Sequence, residues 1–70
     1  MTGRRALAVG DRVAWHSHGG RAVGTIVRIA HENGEASGFH FKATRDDPRY
    51  IVETDDGRQA AHRADALEPV

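Results

Sequence analysis

The chain has no cysteine, which excludes disulfides and thiolate metal sites. It has no net formal charge, whereas a strongly electrostatic nucleic-acid binder is usually basic. Only a local basic patch would serve that role here. No run of residues approaches the ~20 apolar positions of a membrane span, so no membrane partner is expected. Residues 1–10 carry Arg4 and Arg5 but no apolar run of signal-peptide length, and a soluble, cytoplasmic protein is expected. Aromatic residues are few: one Trp, one Tyr and two Phe. No nucleophile elbow, cofactor loop or matched acid–base pair is legible. An enzyme is therefore not expected, and neither is a cofactor.

What remains is a chain of 70 residues, one domain at most. Such a domain buries only roughly 60% of the surface its unfolded form exposes. Small scaffolds usually need a staple. Without cysteine, the options are close packing, self-association or a histidine metal site. The five histidines make the chain net positive as pH falls through about 6.5.

The organising stretch is DRVAWHSHGGRAVGTIVRI, residues 11–29. Val13 and Trp15 alternate with polar or small neighbours, the two-residue period of a half-buried strand. Gly19-Gly20 can supply the positive φ angles of a tight reversal. Residues 21–29 form a longer run rich in β-branched side chains, interrupted by Gly24, where a bend or bulge is expected. Apolar residues on both of its faces predict a strand that serves two layers.

Residues 30–38 read as turn-forming, with Asn33-Gly34 as the strongest signal. Residues 39–43 alternate again, with Phe39 and Phe41 on one face. Residues 44–48, TRDDP, read as a loop, since Pro48 tolerates only the start or edge of a strand. Residues 49–54 form a strand, Asp56-Gly57 a hairpin turn, and residues 58–63 the returning strand. Residues 64–67 look like one helical turn that places Leu67 on the core, and residues 68–70 a frayed end. Five short strands without a helical period predict an all-β fold, a small five-stranded barrel with one short helical turn near the C-terminus. The barrel domain is expected over residues 7–68, after a flexible tail of residues 1–6. Its core is expected to hold Val13, Trp15, Ile26, Phe41, Tyr50, Val52, His62 and Leu67.

Several motifs resemble one family. G-D-x-V-x-W at Gly10 to Trp15, the Gly19-Gly20 turn and G-T-I-V at Gly24 to Val27 look like its first half. D-D-P-R-Y-x-V-E at Asp46 to Glu53, A-x-H at Ala60 to His62, and Ala66-Leu67 look like its second. The chain is similar to the hypervirulence-associated Tudor-domain family over nearly its whole length. The resemblance implies an SH3-like, Tudor-type barrel and implies little about activity. Tudor domains that read methylated side chains use a cage of aromatic faces. Here Trp15, Phe41 and Tyr50 are expected inside, which leaves no complete cage.

Few constellations carry chemistry. His16-x-His18 has a spacing that can chelate a metal, but no third ligand lies close in sequence, and no metal site is expected. His62 is expected to be a satisfied internal histidine, donating to a backbone carbonyl or to Asp46 or Asp47. Asp46-Asp47 are expected to shape the turn before Pro48 through side-chain to backbone hydrogen bonds; Asp55-Asp56 reads as a solvated turn. Arg21, Lys42, Arg45 and Arg49 could form a phosphate-binding surface, against the plainer reading of dispersed solubilising charge.

These observations favour a small non-enzymatic module that binds a protein or peptide through its loops. His16, His18, Arg21, Phe39, Arg45 and Tyr50 are the expected contact residues. Nucleic-acid binding through a basic patch is the alternative. A self-associating unit, such as a homodimer formed by strand exchange near Asn33-Gly34, is a further one.

Overall fold

A computed structural model describes residues 7–70, so the tail expected at residues 1–6 lies outside the described residues. The strands are β1 (Arg12–Ser17), β2 (Gly20–Ala30), β3 (Gly34–Ala36), β4 (Phe39–Phe41), β5 (Arg49–Thr54), β6 (Gln59–His62) and β7 (Glu68–Pro69). A single 3₁₀ turn, Ala64–Ala66, precedes β7. Five strands form one sheet in the order β6-β5-β2-β1-β7, and β3 and β4 form a separate two-stranded sheet. All pairings are antiparallel.

The all-β architecture is therefore present, but the expected five-stranded barrel is not: the sheet is not closed. It ends at β6 on one side and β7 on the other. Both ends are blunted. β7 is two residues long and includes Pro69, which has no N–H to offer a further strand. On β6, the backbone N–H of Gln59 donates to Ser37 Oγ at 3.0 Å, so a side chain occupies the place where a neighbouring strand would start.

β2 is the central strand and is 11 residues long. Its first half pairs with β1, Trp15 facing Ala22 and Val13 facing Gly24. Its second half pairs with β5, Ile26 facing Val52 and Ile29 facing Tyr50. The register shifts between Ile26 and Arg28, leaving Val27 as the extra residue of a bulge. The irregularity lies at Val27, not at Gly24 where the glycine suggested it. A bulge changes which face successive side chains point to, and this one lets β2 feed two apolar clusters.

One cluster holds Val13, Trp15, Ile26, Val52 and Leu67, with Leu7, Ala22, Ile29, Tyr50 and Ala60 packed around it. The other holds Ala30, Ala36, Phe41, Ala43 and Ile51. Phe41 thus lies in a second core on the opposite sheet face, under the β3–β4 hairpin. Leu67 is delivered by the 3₁₀ turn, whose geometry is closed by Leu67 N–H donating to Ala64 O at 3.1 Å. Tyr50 and His62 are only half-buried.

The β3–β4 hairpin turns at Ser37-Gly38, where φ is 47° and 83°. Two consecutive positive φ angles are what a two-residue type I′ turn requires. The reversal expected at Asn33-Gly34 does not occur. Asn33 Oδ1 instead accepts a hydrogen bond from Ala43 N–H at 2.9 Å, and Gly34 lies beneath the Phe41 ring, where a Cβ would come within 2.8 Å. Residues 30–38 are thus part strand, and the C-terminal segment is not frayed, since Val70 N–H donates to Arg12 O at 3.1 Å.

Gly24 is required by close approach. A Cβ there would lie 2.5 Å from the Glu53 carbonyl oxygen and 2.9 Å from Trp15 Cη2. A backbone oxygen in a ladder cannot give way cheaply, so Gly24→Ala is expected to cost about 1–3 kcal/mol of unfolding free energy. Gly19→Ala, with nothing within 4 Å of the new Cβ, should stay within about 0.5 kcal/mol of the parent. Urea denaturation of both variants checks the contrast. Equal midpoints would contradict the packing described.

Candidate functional site

Trp15 is 5% exposed, yet it borders two hollows. The larger, about 540 Å³, runs between the β1–β2 and β5–β6 hairpins and is lined by Trp15, Ala22, Val23 and Ala60 together with Ser17, Thr54, Asp55, Asp56, Arg58 and Gln59. The smaller, about 180 Å³, is lined by Trp15, His16, Arg21, Ala66 and Glu68. Local sequence explains the larger groove. Trp15 is the bulkiest residue on its face, and its cross-strand neighbours are Ala22 and, diagonally, Gly24. Small residues opposite a large one leave a trough instead of a filled surface.

The charges around the groove are paired. Arg12 Nη1 lies 3.1 Å from Asp55 Oδ1, and Arg58 Nε 3.9 Å from Asp56 Oδ2. Asp56 also accepts from the Thr54 hydroxyl and from Arg58 N–H. Those hydrogen bonds, the Thr54 bond foremost, hold its carboxyl below the ordinary range. Gln59 Nε2 donates to Glu53 Oε1 at 3.2 Å. The β5–β6 turn is itself closed by Thr54 N–H donating to Arg58 O at 2.8 Å and by Gly57 N–H donating to Thr54 O at 3.0 Å.

The expected contact residues are carried by three different parts of the fold. His16 and Arg21 face each other across the end of the β1–β2 hairpin, with His18 at its tip. Arg21 Nη2 stands 3.7 Å from Glu68 Oε1. Phe39, 38% exposed, opposes Ala36 on the separate sheet. Arg45 is in the 44–48 loop, and Tyr50, at the start of β5, borders a third hollow with Asp47, Pro48, Arg63, Ala64 and Asp65.

Two expected hydrogen-bond arrangements differ. The 44–48 turn is held by Thr44, whose Oγ1 accepts from Asp47 N–H at 3.0 Å. The Asp47 carboxylate is engaged elsewhere, 2.9 Å from Arg49 and 3.4 Å from Arg63. Both guanidiniums draw it away from the backbone. His62 does not bond to Asp46 or Asp47. Its Nε2 is buried and has no partner, its ring packs on Trp15 with centroids 5.3 Å apart, and loss of water lowers its pKa from the ordinary 6.5.

The proposed phosphate surface is likewise divided. Arg21 and Arg49 have carboxylate partners. Among the described residues Arg28, Lys42 and Arg45 have none, and Arg28 instead stands 5.9 Å from the centre of the Phe41 ring. Also among the described residues, no three His, Asp or Glu side chains are grouped to hold a metal ion, and no helix is long and apolar enough to cross a membrane.

Sequence reasoning passed over Val23, Thr54, Asp55, Asp56, Arg58 and Gln59. Asp55-Asp56 looks like any hydrophilic hairpin turn, and its closeness to Trp15 is a tertiary fact. The available signal was Trp15 facing Ala22 and Gly24 in a hairpin whose register the turn fixes.

No curated protein and no solved structure matches the chain. A family model described as "Hypervirulence associated proteins TUDOR domain" matches residues 10–67, the span from the turn before β1 to the last core leucine. On that match the chain belongs to the hypervirulence-associated TUDOR-domain family.

Proposed function

We propose that this domain is a non-enzymatic interaction module that takes an extended segment of a partner protein in the groove over Trp15. The observation that carries the reading is the groove's make-up: an apolar floor of Trp15, Ala22 and Ala60, edged by the hydrogen-bonding groups of Ser17, Thr54 and Gln59. Pockets that recognise ligands combine such a floor with a few placed polar groups. His16 and Arg21 line the smaller hollow, which shares Trp15 with the groove, and His18 stands at the tip of the same hairpin. The proposed surface keeps these three and omits Phe39, Arg45 and Tyr50, which do not line it.

Nucleic-acid binding is the weaker reading, because most described cations already face a carboxylate. The two readings separate by salt. Three phosphate contacts, as from Arg28, Lys42 and Arg45, would cost roughly 500-fold in affinity for a tenfold rise in salt. A groove whose charges are internally paired should lose less than about threefold.

The experiment is selection from a displayed peptide library on the intact chain, followed by titration of the selected peptides. Ser17→Arg, at an exposed position of the groove lining on the face that carries Trp15, is expected to weaken binding at least tenfold while leaving the denaturation midpoint near the parent's. Selected peptides that ignore Ser17→Arg, or a steep loss of their affinity in salt, would set the groove reading aside.

A further inference from the structure

His62 is a half-buried titratable group on the face that carries Trp15, and the groove reading gives it no task. Its Nε2 is shut off from solvent without a hydrogen-bond partner. The ring is tilted 43° against the Trp15 indole and lies opposite Tyr50 of β5. The groups around it do not offer a counter-charge. Tyr50 offers a phenol hydroxyl and no carboxylate. Arg63, next along the chain, is a cation already engaged by Asp47 at 3.4 Å, and Asp47 is shared with Arg49. Asp65 of the 3₁₀ turn lines the hollow beside Tyr50 and Arg63 but forms no ion pair with the imidazole. β1 contributes the indole itself.

We infer that His62 is a proton-operated latch on Trp15: the neutral imidazole keeps the indole seated, and its protonation in mild acid loosens the seat. A neutral imidazole can leave one ring nitrogen as an unprotonated acceptor. An imidazolium carries N–H on both nitrogens, so Nε2 would become a charged donor with no acceptor in apolar surroundings. The indole face attracts a cation, but less strongly than the lost water would have. Loss of water is also the cause that lowers the His62 pKa.

The sign of the effect follows from linkage. Above about pH 6.5 the imidazole is neutral in both the folded and the unfolded chain, and the full stability is present. As pH falls below 6.5 the unfolded chain takes up the proton first, and stability declines until the folded-state pKa is reached. Each pH unit between the two values weakens the folding equilibrium about tenfold. The latch needs no bound partner, so it stands or falls independently of the groove's occupant.

The test uses the intact chain and its one tryptophan as the probe. Urea unfolding followed by Trp15 fluorescence between pH 7.5 and 5.0 is expected to show a midpoint that falls as pH drops below 6.5. His62→Gln should flatten that dependence, while a variant with His16, His18, His31 and His40 all changed to Gln should keep it. A midpoint that is flat or rises in the parent, or a dependence that survives His62→Gln and vanishes in the fourfold variant, overturns the inference. Should His62→Gln fail to fold, an NMR titration of the imidazoles in the parent decides. A His62 pKa below 6.5 supports the latch, and one at or above 6.5 overturns it.

Discussion

The seating of one indole on one glycine is the contact on which the rest of this small fold depends. Trp15 projects from β1 onto the face of β2 where Gly24 leaves the Glu53 carbonyl oxygen and the indole edge without room for a methyl group. The contact ties three strands together at one point: β1 supplies the ring, β2 the gap and β5 the oxygen behind it. It also fixes register. A slip of one residue between β1 and β2 would turn Trp15 outward and bring Val23, now on the exposed face, under the ring. In a chain with no disulfide, this steric specificity replaces a covalent staple.

The second constraint is how one sheet supports two cores. A strand with strict two-residue alternation buries one face; β2 buries parts of both, because the extra residue at Val27 shifts its phase. Ile26 goes to the cluster around Trp15, while Ala30 goes to the cluster under the β3–β4 hairpin. Neither cluster alone has the bulk to hold a domain of this size. Sharing β2 and β5 between them lets Ile26, Ile51, Val13 and Val52 all reach full burial. The sheet stays open as a result of the same arrangement: the β3–β4 hairpin covers one face and does not extend the ladder, and Ser37 reaches β6 with a side chain only.

The parts of this fold that could be read from sequence were those with a period. β1, β2, β5 and β6 announce themselves through Val13 and Trp15, the β-branched run of 23–29, and Tyr50 to Val52 before Asp56-Gly57. β3 and β7 do not. Gly-Glu-Ala and Glu-Pro carry no β-branched residue and are two or three residues long, so tertiary pairing alone makes them strands. Asn33-Gly34 shows the limit of turn chemistry. The pair suits a reversal, but Phe41 needed a glycine beneath its ring and Ala43 needed an acceptor, and those demands took the pair. Closure was beyond reach for a different reason: whether β6 and β7 meet depends on ladder geometry that no residue type encodes. The groove followed the same logic, since Trp15 and the 54–60 hairpin are distant in sequence, and of the expected surface only His16 and Arg21 line the hollow that shares Trp15 with it.

Trp15 also explains why the polar features of this domain sit where they do. Its indole is the floor of the groove on one side and the packing partner of His62 on the other. Exposed ion pairs such as Arg12–Asp55 and Arg58–Asp56 are screened by solvent, so they balance charge at the groove's edge without stiffening its floor. His62 differs because its nitrogen is shut in with nothing to bond to. Changes in salt act on the rim pairs, which are solvated and weak. Changes in proton concentration act through His62 on the ring that shapes the floor. On the proposed reading, a groove built this way would recognise by shape more than by charge, with a histidine behind its only tryptophan as its most sensitive point.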